Sequence, residues 1–441
     1  MAGSSSAIQA AVRPSDRIRV GVIGCGGMGR MDLADFRRQP DVDIAAVCDV
    51  FQPNTERARE AAGGKAEAYS DFRRVLDRRD IDAVVIATPD HWHALMTVLA
   101  CDAGKDVYVE KPVSHNVREG RLMVDAARRN RRIVQIGLQQ RSGSHFQRAV
   151  RAVQEGRIGR VHFAQCWNHT GAADPKGMGF PKDTAPPADL DWDMWLGPAP
   201  KTPYNPARRN FRVWWDYAGG ELTNWCVHLI DIVHWATGLD RPLTVASSGG
   251  KYHIRDCREC PDTQEVIWEY PELLVRYSTM VHNSFGPNGD PGNKPFGSYG
   301  IMLQGTDGTL IIDRAGYQIT PQMKGHAEPV SQAWREAFDD LTGIGMYYTS
   351  TATAERGTTS VQHMPHVRNF VDCMKSRQTP AADIETGHRS TAACLIGNIA
   401  LQTGQKLQWN AQRERFTNND AANERLWRRY RRPWQLPGLE T

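Results

Sequence analysis

No apolar run in the 441 residues approaches the ~20 needed to cross a bilayer as a helix, which excludes a helical membrane protein. No cysteine framework stands out. The nine Cys are scattered, mostly inside apolar stretches as at Cys48, Cys101, Cys226 and Cys394, a pattern of buried thiols rather than disulfides. Excess charge is small: 54 Lys and Arg against 50 Asp and Glu leave a net +4, too mild to imply a nucleic-acid partner. Internal repeats and low-complexity tracts are absent. The opening MAGSSSAIQAAVRPSD has neither a basic start nor an apolar core, so as written it carries no export signal. That points to a cytoplasmic protein, with a periplasmic one as the alternative if a signal was removed.

The composition that is present, 40% hydrophobic and 24% charged, is that of a soluble globular chain. Its length allows two or three domains. A flexible segment is expected over 1–16, a dinucleotide-binding domain over 17–138, a second domain over 139–410 and an arm over 411–441. The strand-like runs IRVGVIG, DIAAVCD, AVVIAT, DVYVE and RIVQIG alternate with amphipathic helical segments. Strands separated by helix-length segments imply a doubly wound parallel sheet of the Rossmann type.

The first turn of that sheet reads Gly24-Cys25-Gly26-Gly27-Met28-Gly29. Its glycines suit a tight turn, close approach of backbone to a pyrophosphate and close packing of helix on strand, while the helix N-terminus directs free N–H groups at the phosphates. The turn follows a strand, opens a helix and precedes Asp49 by about twenty residues, the spacing of a dinucleotide fingerprint. Asp49 would bind the adenosine ribose and repel a 2′-phosphate, and Val50, Phe51 and Gln52 supply no arginine for one, so NAD is favoured over NADP.

Two later strand ends carry polar motifs, where open α/β sheets bind ligands. In ATPDHWH, Thr88 and Pro89 would line the cofactor, with His91 and His93 as further contacts; Asp90 or His91 could cap the next helix. The plainer reading of that segment is a capped turn with surface histidines. In VEKPVSHN, Glu110 and Lys111 end the following strand, and Pro112 biases Lys111 toward extended geometry. A lysine in a dry cleft loses affinity for its proton and moves toward acid–base range.

The segment GGELTNWCVHLIDIVHW, Gly219–Trp235, reads as a buried helix with a polar stripe. Glu221, Asn224, His228 and Asp231 would share one face, and Leu222, Cys226, Leu229 and Val233 the other. The stripe is expected to face an interdomain cleft.

The combination of Gly-x-Gly-x-x-Gly, Thr-Pro, Glu-Lys-Pro, the glycine pair and the helical histidine resembles the Gfo/Idh/MocA family of NAD(P)-dependent oxidoreductases. The resemblance runs from Arg17 through Gly387–Ser390 and implies that His228 and Lys111 share the proton transfer at a substrate hydroxyl. Many sugar dehydrogenases of the family have Asp where this chain has Asn224. An amide cannot carry the charge that raises a histidine's basicity, which moves more of the acid–base work onto Lys111. A divalent ion held by His228 and Asp231 with His91 and His93 is the weaker alternative, since the spacing is not that of a metal site. Cys257, Cys260 and His253 read as a loop with free thiols.

Beyond Gly137, strand-like runs from VHFAQCW to GTLIIDR suggest an open, mostly antiparallel sheet on a crossing helix, its free face serving homo-oligomer contacts as the resemblance implies. The Pro- and Gly-rich stretch 170–209 is too long for a casual connection and reads as a structured insertion near the site. Trp167 and Tyr217 are candidates for stacking on a sugar ring, and Gln139, Gln140, Arg141 and Arg212 for its hydroxyls, together with Asn224 and His228. Two late helices, within 361–402, return to the core, and the basic tail ANERLWRRYRRPWQL reads as an arm clamped along the protein or a neighbouring subunit. The expected activity is NAD-dependent oxidation of a sugar hydroxyl or reduction of the matching ketone. The alternative is glycoside cleavage through a transient keto-sugar.

Overall fold

A computed structural model describes residues 17–171, 174–287, 297–322 and 354–439; the segment 1–16 lies outside them. The first six strands are β1 (Ile18–Ile23), β2 (Val42–Cys48), β3 (Glu67–Tyr69), β4 (Ala83–Ile86), β5 (Asp106–Val109) and β6 (Val134–Ile136). All pair in parallel, in the order β3-β2-β1-β4-β5-β6, the doubly wound arrangement that the alternating sequence pattern implies. β4 and β5 are buried throughout, as strands covered on both faces must be. Strand β3 left no signal in the sequence: three residues at the sheet edge, two of them exposed, carry no apolar run.

Helices α1 (Gly27–Arg37), α2 (Gln52–Ala61), α3 (Phe72–Leu76), α4 (Asp90–Asp102) and α5 (Val117–Arg129) connect these strands. Helix α5 starts where the Asn116 side chain accepts from the Glu119 amide, satisfying one of the N–H groups a helix start leaves free. Its Met123, Val124, Ala126 and Ala127 turn inward.

Helix α6 (Ser144–Gln154) crosses to a ten-stranded sheet made of β7 (Val161–His169), β8 (Thr244–Gly250), β9 (Thr263–Tyr270), β10 (Leu273–Met280), β11 (Tyr299–Gly305), β12 (Gly308–Asp313), β13 (Gly316–Pro321), β14 (Glu355–Thr358), β15 (Leu407–Asn410) and β16 (Arg415–Phe416). The order is β14-β13-β12-β11-β7-β10-β9-β8-β15-β16, and only the β7/β10 pair is parallel. Strand β9 alternates inward Gln264, Val266 and Trp268 with outward Glu265 and Ile267, as expected of a sheet with one covered face.

The rest of the chain ties the two sheets together. Helices α7 (Trp192–Leu196) and α8 (Val227–Thr237) lie between β7 and β8 in sequence, α9 (His363–Ser376) and α10 (Ile384–Thr403) between β14 and β15, and α11 (Asp420–Asn423) follows β16. Val367, Phe370 and Val371 of α9 join the core of the parallel sheet with Val20, Val22 and Phe36. Phe36 sits edge-on to both Tyr108 and Phe370. Helix α10 packs against the start of α8: its Gly397 passes Leu222 and Trp268 so closely that an added Cβ would lie 3.0 Å from Leu222.

The C-terminal arm runs back over its own chain. Arg428 donates to the Asp216 carbonyl, Tyr430 to Glu119, and Arg431 to the Gly197 carbonyl and Asp193. Trp434 meets Trp92 edge-on at 4.9 Å. These contacts brace α7 from outside.

Candidate active site

The carboxyl ends of β1, β4 and β5 bring the glycine turn, Thr88-Pro89-Asp90 and Glu110-Lys111 to one edge of the parallel sheet. They line a cleft of about 1470 Å³, counting the solvent at its mouth. Its other wall comes from the 170–209 insertion and the residues just after it: Leu190, Met194, Trp195, Arg209, Phe211 and Arg212. The insertion docks as a short β-bridge, Phe51 against Leu190, with the Gln52 and Asp191 amides donating across it.

The glycines divide their work as the sequence suggests. Gly24 has a φ of +87°, and a Cβ there would lie 2.6 Å from the Ala87 carbonyl. At Gly29 a Cβ would meet the Gly24 oxygen at 1.8 Å, so helix and turn pack at a distance only glycine allows. Gly26 and Gly27, by contrast, would point a Cβ into open space. Gly26 is the N-cap of α1 and offers no side-chain partner, which leaves the first amides of an eleven-residue helix free at the cleft. That cradle fits a diphosphate. Asp49 lines the cleft beside it and accepts from the Cys25 and Phe51 amides at 2.8 and 2.9 Å. Burial pushes its carboxyl up, opposed by those two amides.

At the other end, the Lys111 ammonium donates to the Asn224 carbonyl and to Asn224 Oδ1. Burial lowers its affinity for a proton, while Glu110 opposes that shift and Arg212 adds to it. Arg212 also donates to Asn224 Oδ1, at 3.3 Å. Behind Lys111, burial raises the Glu110 carboxyl to about 7. Gln139 holds that carboxyl at 2.8 Å.

Thr88, Pro89, Glu110, Lys111, Arg212 and Asn224 thus line one cleft with Gly24, Gly26, Gly27, Met28 and Asp49. Other residues singled out in the sequence lie elsewhere. His91 and His93 are neither on the surface nor on the cleft. His91 contacts the Trp195 carbonyl at 3.2 Å, and His93 sits between the Pro112 and Thr88 carbonyls, tying the turn after β4 to the turn after β5. Trp167 is fully buried and donates to the Gly297 carbonyl, and Tyr217 is buried with its hydroxyl against Thr202 and Arg208. Gln139 is spent on Glu110 and Tyr108, and Gln140 on the His228 carbonyl and Tyr299.

The polar stripe also divides. A π-helical turn, Leu222–Cys226, precedes α8, so the even α-helical spacing assumed for the stripe does not hold. Glu221 and Asn224 are half-buried near Lys111, whereas Asp231 is in the core, paired with Arg141 at 2.7 and 3.0 Å and bonded to Ser390. Arg141 is therefore a structural cation and does not line the cleft. His228 is buried, does not line the cleft, and its Nδ1 has no partner among the described residues. Burial, with Lys111 and Arg314 adding to it, holds its imidazole well below the usual range and neutral. Among the described residues no three His, Cys, Asp or Glu side chains converge as a metal ion would need. Cys257 and Cys260 are free thiols, and His253 stacks on His282.

Several cleft residues went unnoticed in the sequence. Asn54, Ser70, Phe72 and Met96 join the sheet side, and Arg209 lies over the Phe51 ring at 4.4 Å. None stands in a motif that would mark it.

Comparison with known proteins follows the same division of the chain. The family model of the oxidoreductase NAD-binding Rossmann fold matches residues 18–138, and that of the family's C-terminal α/β domain matches 175–258 and 353–436. An inositol 2-dehydrogenase of Saccharopolyspora erythraea is 30% identical over 161 residues, 36% of this chain and 47% of that one. A glycosyl hydrolase family 109 protein of the same organism is 37% identical over 171 residues, 37% of each chain. The matches thus span under half the length of these relatives. A levoglucosan dehydrogenase solved with NADH and levoglucosan superposes with a TM-score of 0.65 at 15% identity, covering 89% of this chain and 99% of that one, a likeness of fold. With both of its halves matched, the chain is a member of the Gfo/Idh/MocA oxidoreductase family.

Proposed function

We propose that the protein is an NAD-dependent oxidoreductase acting on a secondary hydroxyl of a sugar or cyclic polyol, or on the matching ketone. The observation that carries this reading is the presence of Lys111 in the same cleft as the open glycine turn, its ammonium held by Asn224. The uncapped amides of α1 would hold the diphosphate, Asp49 the adenosine ribose, and Thr88, Pro89 and Glu110 would flank the nicotinamide end. Bound NAD supplies the acceptor for a hydride from a carbinol carbon.

Lys111 then takes the hydroxyl proton, helped by burial that weakens its own hold on one. Asn224 fixes the direction of that amine, and Arg212 is available to a substrate hydroxyl. His228 acts here as a neutral group one turn further along the helical stretch that carries Asn224. The inositol 2-dehydrogenase relative and the levoglucosan-bound neighbour support the substrate class. The family 109 relative supports a second reading, in which the keto-sugar is transient, a glycosidic bond is eliminated beside it, and the cofactor returns to NAD. Homo-oligomer formation through the free face of the second sheet, where Ile267 and Leu274 stand exposed, belongs to the same proposal.

The purified chain, offered NAD with a panel of cyclic polyols and anhydrosugars, is expected to generate NADH absorbance, and Lys111→Ala to abolish it. Cleavage of a chromogenic glycoside without net change in NADH would favour the second reading. No turnover of any kind would overturn both.

A further inference from the structure

Asp90 opens α4, and the mechanism above leaves it unused. It is 6% exposed, yet it lines the cleft with Lys111, Arg212 and Asn224. Among the described residues it forms no ion pair and takes no hydrogen bond from another side chain; only its own backbone amide offsets its burial by a hydrogen bond. Carboxylates are seldom buried without a partner, because removing the charge from water is expensive. Lys111, from the turn after β5, and Arg212, from beyond the insertion, line the same cleft and act on its charge, as Asp90 does on the Cys260 thiol before β9. Glu110 and Glu221 act on the same Lys111. On its own helix the neighbouring His91 is held neutral by burial. Burial raises the Asp90 carboxyl to about 7, against the pull of Lys111 and Arg212, so it changes protonation where most enzymes work.

We propose that Asp90 is the proton-exchange partner of Lys111, supplying from the parallel-sheet side of the cleft the carboxylate that Asn224 cannot. The inference rests on the oxidoreductase reading. In the oxidative direction the carbinol C–H bond breaks and its electron pair leaves with the hydride for bound NAD. The hydroxyl O–H bond breaks, the carbonyl forms, and the proton goes to the neutral Lys111 amine. Lys111 and Asp90 share the cleft without touching, so one proton passes from Lys111 through cleft water to the Asp90 carboxylate, leaving Lys111 neutral again; Asp90 releases that proton to solvent when product leaves. Reduction runs the same path backwards.

The test uses the full chain with Asp90→Asn and Asp90→Glu, measuring NADH affinity by fluorescence and the pH profile of kcat on a substrate turned over by the wild type. Asp90→Asn is expected to leave NADH affinity within roughly threefold, to lower kcat by roughly 100-fold and to lose the ionisation near neutrality. Asp90→Glu should bring back an ionisation, displaced from that of the wild type, and part of kcat. If Asp90→Asn keeps kcat and its pH profile, or loses only NADH affinity, the proposal is overturned. Should Asp90→Asn not fold, Asp90→Glu decides: a moved ionisation supports the exchange and an unmoved one overturns it. A wild type that turns over no substrate overturns the oxidoreductase reading and this one with it, whereas a working wild type with an unmoved Asp90→Asn profile overturns this one alone.

Discussion

The Lys111 ammonium donates to both oxygens that Asn224 presents, the main-chain carbonyl at 2.8 Å and the side-chain oxygen at 2.9 Å. Neither oxygen is charged, so the lysine is held in place without being held protonated. Asn224→Asp would keep the geometry and add a charge. A carboxylate beside an amine favours the protonated form, so the pH at which Lys111 becomes a base should rise, lowering kcat near neutrality by about tenfold. The pH profile of the variant checks this; an unmoved profile would mean that another group is the base.

Asp49→Ala should relax the choice between cofactors. The carboxylate that repels a 2′-phosphate goes, while Arg209, stacked on Phe51 and within electrostatic reach of Asp49, remains as a cation on the same wall. The ratio of kcat/KM for NADP to that for NAD is expected to climb by at least roughly tenfold. Adding Arg209→Ala should take part of that gain away. An unchanged ratio would contradict the role given to Asp49.

Two glycines of one turn should respond in opposite ways. Gly26→Ala has room for its methyl and should leave the melting temperature without cofactor within about 2 °C, yet weaken NADH binding by roughly tenfold, because the methyl occupies the cradle. Gly29→Ala would drive its methyl into the Gly24 carbonyl and should destabilise the fold itself. Thermal melts with and without NADH separate the two effects.

Arg141→Ala should be a folding variant. It leaves Asp231, 1% exposed, as a buried charge without its ion pair, a change that costs about 3–5 kcal/mol in comparable settings. Denaturant midpoints should fall, while substrate KM in the protein that remains folded should not change. A raised KM with intact stability would restore Arg141 to the substrate.

Acid should loosen the contact between α5, α10 and the segment before β16. Burial alone would raise the Glu414 carboxyl, but hydrogen bonds from His388 and Arg121 outweigh it and bring it down to about 2. Such a group adds stability above its ordinary value near 4.5, and that contribution is lost as pH falls toward 2. Melting temperature in that window should drop less steeply in Glu414→Gln, which is already less stable at neutral pH by about 1–2 kcal/mol after allowance for screening.

Local chemistry made the parallel sheet and its motifs legible. Gly24, Gly29, Asp49 and Lys111 sit at fixed offsets from strand ends, and each has a requirement that few other residues meet. The second sheet was half legible: its hydrophobic strands announced themselves, whereas β13 to β16 are short and partly polar, and pair only because the rest of the sheet exists. Arg141, Trp167 and Tyr217 lie off the cleft for one reason. A polar or aromatic side chain near a cleft in sequence can satisfy itself on Asp231, on the Gly297 carbonyl or on Thr202, and composition does not tell a satisfied group from a waiting one. Arg209 reaches the cleft through the insertion, a contact that no local pattern encodes, whereas Asp90 stands in a motif that marks a helix start but not a buried charge.

The π turn at Leu222–Cys226 sets the aim of Asn224. It holds one residue more than a regular coil would need, so a deletion of Thr223 would smooth the helix and turn Asn224, the residue that follows, by up to about 100° relative to what precedes it. Asn224 and its carbonyl would leave the lysine while the apolar side of α8 stayed in place. The length of this one turn therefore decides whether Asn224 meets the amine of Lys111.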